Sequence, residues 1–242
     1  MKPSLVFLHG FPLNSKMWEN QVSFFDTYKV FTPNLLGSES SPSTFFSLDE
    51  MANTITSEII SKQESSILIG LSMGGYVVQR ILEMNPHTIL GLVLISTRSS
   101  ADSNMAKLKR VKAIESIKAN GLEGYIGEFT KNLVSQKTLD NPILFQKILN
   151  IANENKKEGI LSQILALMGR VDSENFLPKI SIPTLVISGS EDTLSPPKDM
   201  DEIFQKIPNH ELKIVESSGH LSPMENPDSV NFFINNFLQQ FL

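Results

Sequence analysis

The stretch Ile67-Leu68-Ile69-Gly70-Leu71-Ser72-Met73-Gly74-Gly75 sets a serine in a G-x-S-x-G frame. An apolar, strand-like run precedes it, and a mostly apolar helical run through Tyr76, Val77, Val78, Arg80, Ile81 and Leu82 follows, stopping at Asn85-Pro86. A sharp strand-to-helix turn pushes the serine toward strained dihedrals, and Gly70 and Gly74 remove the side chains that would collide across it. The hydroxyl then stands clear of the sheet edge, and the Met73 N–H, at the first helical turn, points at whatever Ser72 attacks. That is how a weak nucleophile is presented for acyl transfer.

A serine hydroxyl needs a base, and four histidines are available. His87 follows the post-serine helix, where a histidine suits the helix C-terminus. His210 lies at the amino end of the strand-like run Glu211–Val215, away from the site. His9 closes an early strand at the correct edge but is held in a His-Gly turn. His220 follows Glu211–Val215 through Glu216-Ser217-Ser218-Gly219, a glycine-ended loop at the correct edge, and is assigned as the base. The acid that holds the imidazole comes from the loop Ser188–Pro197 after the strand-like run Thr184–Ile187. Asp192 is the choice there, with Glu191 as the alternative. A second oxyanion donor is expected at the Phe11 N–H, facing the Met73 N–H, because Gly10 permits a close turn and Pro12 has no N–H.

These groups require a scaffold that brings strand ends together. Leu5–Leu8, Lys29–Thr32, Ile67–Ile69, Gly91–Ile95, Thr184–Ile187 and Glu211–Val215 are apolar and strand-like. Leu48, Met51, Ala52, Ile55 and Ile59 recur at helical spacing, with Ser47 and Glu50 forming an S-x-x-E capping box. Continuous apolar strands separated by helices predict an α/β fold with a mostly parallel central sheet of about six strands and helices on both faces. Between 98 and 176 no strand is evident. Lys107–Ala119, Leu122–Leu133, Pro142–Asn153 and Glu158–Met168 read as helices, and a further amphipathic helix runs from about Pro227 to Leu242. The expected organisation is a core made of 1–97 and 177–242, with 98–176 inserted as a helical lid over Ser72.

A chain of 242 residues can bury a sizeable core, and 40% hydrophobic with 19% charged residues is ordinary for a globular protein. The net charge of −5 shows no basic stripe, which argues against nucleic acid as a partner. Cysteine is absent, so there is no thiol nucleophile, no disulfide and no cysteine metal site. The apolar run Leu5–Leu8 is too short for a signal peptide and no run is long enough to span a bilayer, so a cytoplasmic location without membrane insertion is expected.

The order Ser72, Asp192, His220, with the His9-Gly10 turn and the helical insertion, resembles the α/β-hydrolase family along nearly the whole chain. Phe7-Leu8-His9-Gly10-Phe11-Pro12, Met17-Trp18 and Leu92-Val93-Leu94-Ile95-Ser96 resemble its small bacterial esterase, enol-lactonase and cofactor-free perhydrolase group. The resemblance implies serine acyl-transfer chemistry on a small ester or lactone, with no metal and no cofactor. Lactonase, carbon–carbon hydrolase and perhydrolase chemistry on the same triad, or a slow-turnover ligand receptor, are the alternatives. The family's Asp-x-x-Gly-x-Gly-x-Ser stretch departs here to Asn34-Leu35-Leu36-Gly37-Ser38-Glu39-Ser40, and the chain starts almost at the His-Gly strand, so antiparallel edge strands are expected to be missing. Trp18, Met105, Phe129, Phe145 and Met168 are the candidate acyl-pocket residues. Arg98, Arg110 and Arg170 could hold a substrate carboxylate but are read as surface charges.

Overall fold

The computed structural model describes residues 2–39, 45–84 and 87–242. The helix stop expected at Asn85-Pro86 and the Ser40 end of the Asn34–Ser40 stretch lie outside them. Among the described residues the six strands are β1 Ser4–Leu8, β2 Val30–Phe31, β3 Ser66–Leu71, β4 Ile89–Ile95, β5 Thr184–Gly189 and β6 His210–Val215. They form one parallel sheet in the order β2-β1-β3-β4-β5-β6. Every residue of β1, β3 and β5 is buried, which is why these strands read as unbroken apolar runs. At the margins, β2 is two residues long, while β6 carries Glu211 and Lys213, which pair with each other.

The helices are α1 Glu19–Phe24, α2 Leu48–Glu58, α3 Met73–Met84, α4 Asn104–Asn120, α5 Leu122–Lys131, α6 Gln136–Leu139, α7 Pro142–Asn153, α8 Lys157–Met168, α9 Pro197–Phe204, α10 Ser222–Glu225 and α11 Pro227–Leu238. They cover both faces of the sheet. Gly91 of β4 lies beside Ile67 and against Phe237 and Phe241, so α11 is on that face. Gly70, an odd number of positions from Ile67 along β3, looks the other way and meets Gly74 and Gly75 of α3. The Ser47–Glu50 capping box forms as expected, with the Ser47 hydroxyl accepting from the Glu50 N–H and the Glu50 carboxylate accepting from the Ser47 N–H.

The stretch between β4 and β5 is helical, as expected: α4 packs on α5 and α8, and α7 on α5 and α6. Several bounds differ from the sequence reading. The second of these helices ends at Lys131 rather than Leu133, and the last helix at Leu238, followed by a 3-10 turn Gln239–Phe241. Short α6 and α9 were not expected; α9 opens on Pro197, which suits a first helical position because its missing N–H would have no partner there.

Candidate active site

Ser72 follows β3 with φ of 51°, the left-handed strain expected at a sharp strand-to-helix turn. Its backbone is pinned on three sides: its N–H donates to the Ile95 carbonyl at 2.9 Å, and its carbonyl accepts from the Thr97 hydroxyl at 2.8 Å and the Tyr76 N–H at 3.2 Å. The two glycines of the frame are sterically required. A Cβ on Gly70 would come within 2.6 Å of the Gly74 carbonyl group, and one on Gly74 would overlap the Leu8 carbonyl. The helix after the serine therefore rests directly on the end of β1.

His220 and Asp192 meet at the same edge. The His220 Nδ1 lies 2.8 Å from Asp192 Oδ2, with both residues buried. The other carboxylate oxygen accepts from the N–H groups of Leu194 and Ser195, each at 2.9 Å. Burial pushes the Asp192 carboxyl up, but the adjacent His220 ring and the Ser195 N–H outweigh it and hold the group below the usual carboxylate range. An ionised Asp192 accepts the Nδ1–H, which leaves Nε2 as the basic nitrogen. That Nε2 is buried and, among the described residues, has no hydrogen-bond partner. Glu191, the alternative acid, is turned away: its carboxylate accepts from the Gln136 N–H at 3.1 Å.

The loop that carries His220 is tied down by a residue the sequence reading passed over. Glu225, in α10, accepts from the Gly219 N–H at 2.9 Å with one oxygen, and with the other from the Ser135 N–H at 2.7 Å and the Thr138 hydroxyl at 2.9 Å. The His220 N–H itself donates to the Leu133 carbonyl at 2.8 Å. The histidine loop is thus bonded to the segment that opens α6. An exposed-looking carboxylate beside Met224 and Asn226 carries no pattern that would reveal this.

The remaining histidines lie apart from this pair. His9 is fully buried, and its Nε2 accepts from the Leu35 N–H at 3.0 Å, which places the proton on Nδ1, facing the Gly10 carbonyl at 3.2 Å. Burial lowers its pKa to about 4. His210 bonds the Ile207 carbonyl at 2.8 Å, and His87 is exposed.

A cavity of about 540 Å³ opens at Ser72. Phe11 lines it and packs edge-on to Phe129 at 5.4 Å, and Phe129 stacks on Tyr125 at 5.6 Å, making an aromatic wall. The Phe11 N–H lies in the turn closed by the Leu13 N–H to the Gly10 carbonyl at 2.9 Å. The Met73 N–H opens α3, where the fold supplies no helical partner. Of the pocket candidates, Phe129 and Met105 border the cavity. Trp18, Phe145 and Met168 do not: Trp18 is fully buried against Phe7 at 5.1 Å, Phe145 packs against the core, and at the end of α8 the cavity is lined by Leu167 rather than Met168. Nor are Arg98, Arg110 and Arg170 plain surface charges. All three line the cavity, together with Lys109 and Asp102.

This fold and this sheet-edge arrangement place the chain in a known class. Residues 5–231 match the alpha/beta hydrolase family, and the chain belongs to it. It is 28% identical over 246 residues to the AB hydrolase superfamily protein YisY of Bacillus subtilis, covering 96% of this chain and 90% of that protein. It is also 24% identical over 249 residues to 3-oxoadipate enol-lactonase 2 of Acinetobacter baylyi, covering 99% and 90% respectively. Among solved structures, a thermophilic esterase from Thermogutta terrifontis with malate bound superposes with a TM-score of 0.93 at 30% identity, over 99% of this chain and 90% of that one. Among the described residues no helix is long and apolar enough to cross a membrane.

Proposed function

We propose that the chain is a serine hydrolase that cleaves small carboxylic esters through an acyl-enzyme. The observation that carries this reading is the buried His220–Asp192 pair at 2.8 Å, with Nε2 unpartnered among the described residues, at the sheet edge where strained Ser72 opens into a cavity. Ser72 Oγ attacks the ester carbonyl and its proton passes to His220 Nε2. Asp192 stabilises the imidazolium. The Phe11 and Met73 N–H groups hold the oxyanion, a contribution on the order of 3 kcal/mol per donor. Collapse breaks the bond to the leaving oxygen, and His220 gives that oxygen the proton. Water, deprotonated by His220, then attacks the acyl-enzyme and releases the acid and Ser72.

In this reading the segment 98–176 is a lid on a core of 1–97 and 177–242. Residues from α4, α5 and α8 contribute to the cavity wall, which supports it. A cytoplasmic location belongs to the same reading. A lactone is a second substrate class for the same residues, since the enol-lactonase relative spans the whole chain; ring opening differs only in that the leaving alcohol stays attached to the acyl group.

The test is hydrolysis of p-nitrophenyl esters of increasing acyl length by wild type and Ser72→Ala. Turnover that vanishes in the variant is the expected result. A folded wild type that cleaves no ester and no lactone sinks the reading.

A further inference from the structure

The chain carries a net charge of −5, yet the cavity at Ser72 is lined by Arg98, Lys109, Arg110 and Arg170 against a single carboxylate, Asp102. Two of these cations are committed. Arg170 is almost fully buried; it pairs with Asp102 Oδ1, donates to the carbonyls of Ser100 at 2.9 Å and Leu167 at 3.3 Å, and lies over the Tyr76 ring at 4.5 Å. Arg98 donates to the Leu194 carbonyl and reaches Asp199 at 3.8 Å.

Arg110 and Lys109 differ. Arg110 pairs through Nε with Asp102 Oδ2, and its Nη2 reaches Oδ1 only at 3.5 Å. The carboxylate it leans on is already held by Arg170, so one negative charge serves two guanidinium groups. Among the described residues, Lys109 has no ion-pair partner. Tyr125 adds a third donor on this side of the cavity. Burial pushes its phenol up to about 12, partly offset by the charge of Arg110, so the hydroxyl keeps its proton.

We propose that Arg110, with Lys109 and Tyr125, forms an anion subsite that selects esters bearing a carboxylate at the end away from the scissile bond. This deepens the esterase reading and rests on it. The substrate would run from Ser72 along the Phe11–Phe129–Tyr125 wall, with its apolar chain on the rings and its carboxylate among donors that have surplus positive charge. A half-ester of a straight-chain dicarboxylic acid has this shape, as does a lactone carrying an acidic side chain. A neutral ester of equal length leaves the surplus charge of Arg110 uncompensated in a partly dry site.

The experiment compares kcat/KM for monomethyl esters of dicarboxylic acids of increasing length with that for methyl esters of monocarboxylic acids of the same length. Wild type is expected to favour the half-ester by about tenfold at low salt, the size of one charge-assisted hydrogen bond, with the ratio shrinking as ionic strength rises. In Arg110→Gln the ratio falls toward one, and in Lys109→Gln it falls part of the way. Should Arg110→Gln fail to fold, the salt dependence of the wild-type ratio and the Lys109→Gln ratio decide. Ser72-dependent cleavage of neutral esters with a ratio of one or less that salt does not move overturns the subsite and leaves the hydrolase reading standing. Cleavage of neither ester series, nor of a lactone, overturns both.

Discussion

Gly74 lies against the carbonyl of Leu8 so closely that any side chain at this position would occupy the same space as the backbone of β1. The Ser72 turn and the strand that leads to the Phe11 loop are therefore one mechanical unit. The spacing between Ser72 and the Phe11 N–H is set by backbone contact, which cannot relax by a change of rotamer.

Gly74→Ala tests this. The added methyl has to displace either α3 or β1, and overpacking of this kind costs about 1–3 kcal/mol or more. For a chain of this size each 1 kcal/mol lowers Tm by about 2–4 °C. A calorimetric melt is expected to show that loss, together with a larger proportional loss of the proposed ester hydrolysis. Unchanged Tm and activity would contradict the contact.

Asp192→Asn keeps the shape of the acid but removes its charge and permits the wrong histidine tautomer. Replacing such an aspartate is expected to lower kcat by about 10⁴-fold while leaving the protein folded. Steady-state kinetics on the best p-nitrophenyl ester, with circular dichroism as the folding control, measures it. A fall of less than tenfold would remove Asp192 from its role.

Acid should destabilise the protein in two stages. His9 is held neutral, with its pKa lowered to about 4, and the unfolded chain regains the ordinary value near 6.5. A depressed folded pKa means that the unfolded state binds the proton first. The contribution is therefore complete above about pH 6.5 and is lost as pH falls toward 4, on the order of 3 kcal/mol. Asp192, held below its ordinary carboxylate value, follows the same sign at lower pH: its contribution is present above the unfolded pKa and disappears as pH drops through the folded one. Urea unfolding at pH 7, 5.5 and 4 is expected to show a progressive fall. Equal stability at pH 7 and 4 would refute the account of His9.

Glu225 ties the His220 loop to the segment that opens α6. In Glu225→Ala the N–H groups of Gly219 and Ser135 lose their acceptor, and bonds to a charged group are worth about 1.5–3 kcal/mol. The expected result is a Tm lower by several degrees and a kcat reduced by about tenfold, with KM moving less, since in the proposed reaction this loop orients His220 and not the bound ester. Substantial recovery in Glu225→Asp would identify the loss as one of positioning; a KM effect alone would not fit.

Much of the Ser72 side of the candidate site was readable because its constraints are local. The glycine frame around Ser72 can be recognised without knowing what packs on it, and the apolar runs of β1, β3, β4 and β5 are long enough to show two-sided burial. His220 and Asp192 followed from strand polarity, since a residue just past a parallel strand must lie at the carboxyl edge. The pocket was harder. Trp18 and Phe129 are both large aromatics in mixed surroundings, and only the packing of Phe7 on one and Phe11 on the other separates core from wall. Met168 missed the cavity by one helical position, where Leu167 faces it. Arg98, Arg110 and Arg170 are scattered through the sequence, so nothing short of the fold could show that they share one cavity with Asp102. Glu225 was hidden for the same reason: its partners lie in the inserted segment and across the His220 loop.

The two margins of the sheet bear on how the protein behaves at high concentration. A parallel sheet invites a further strand wherever unpaired backbone groups run straight for several residues. Here one margin, Val30–Phe31, offers only a two-residue template, and the other sets the charged pair Glu211 and Lys213 along its length. An incoming chain would find too few hydrogen bonds at the first margin and would have to accommodate charged side chains at the second. The six-stranded sheet is thereby limited in breadth and guarded against edge-to-edge aggregation.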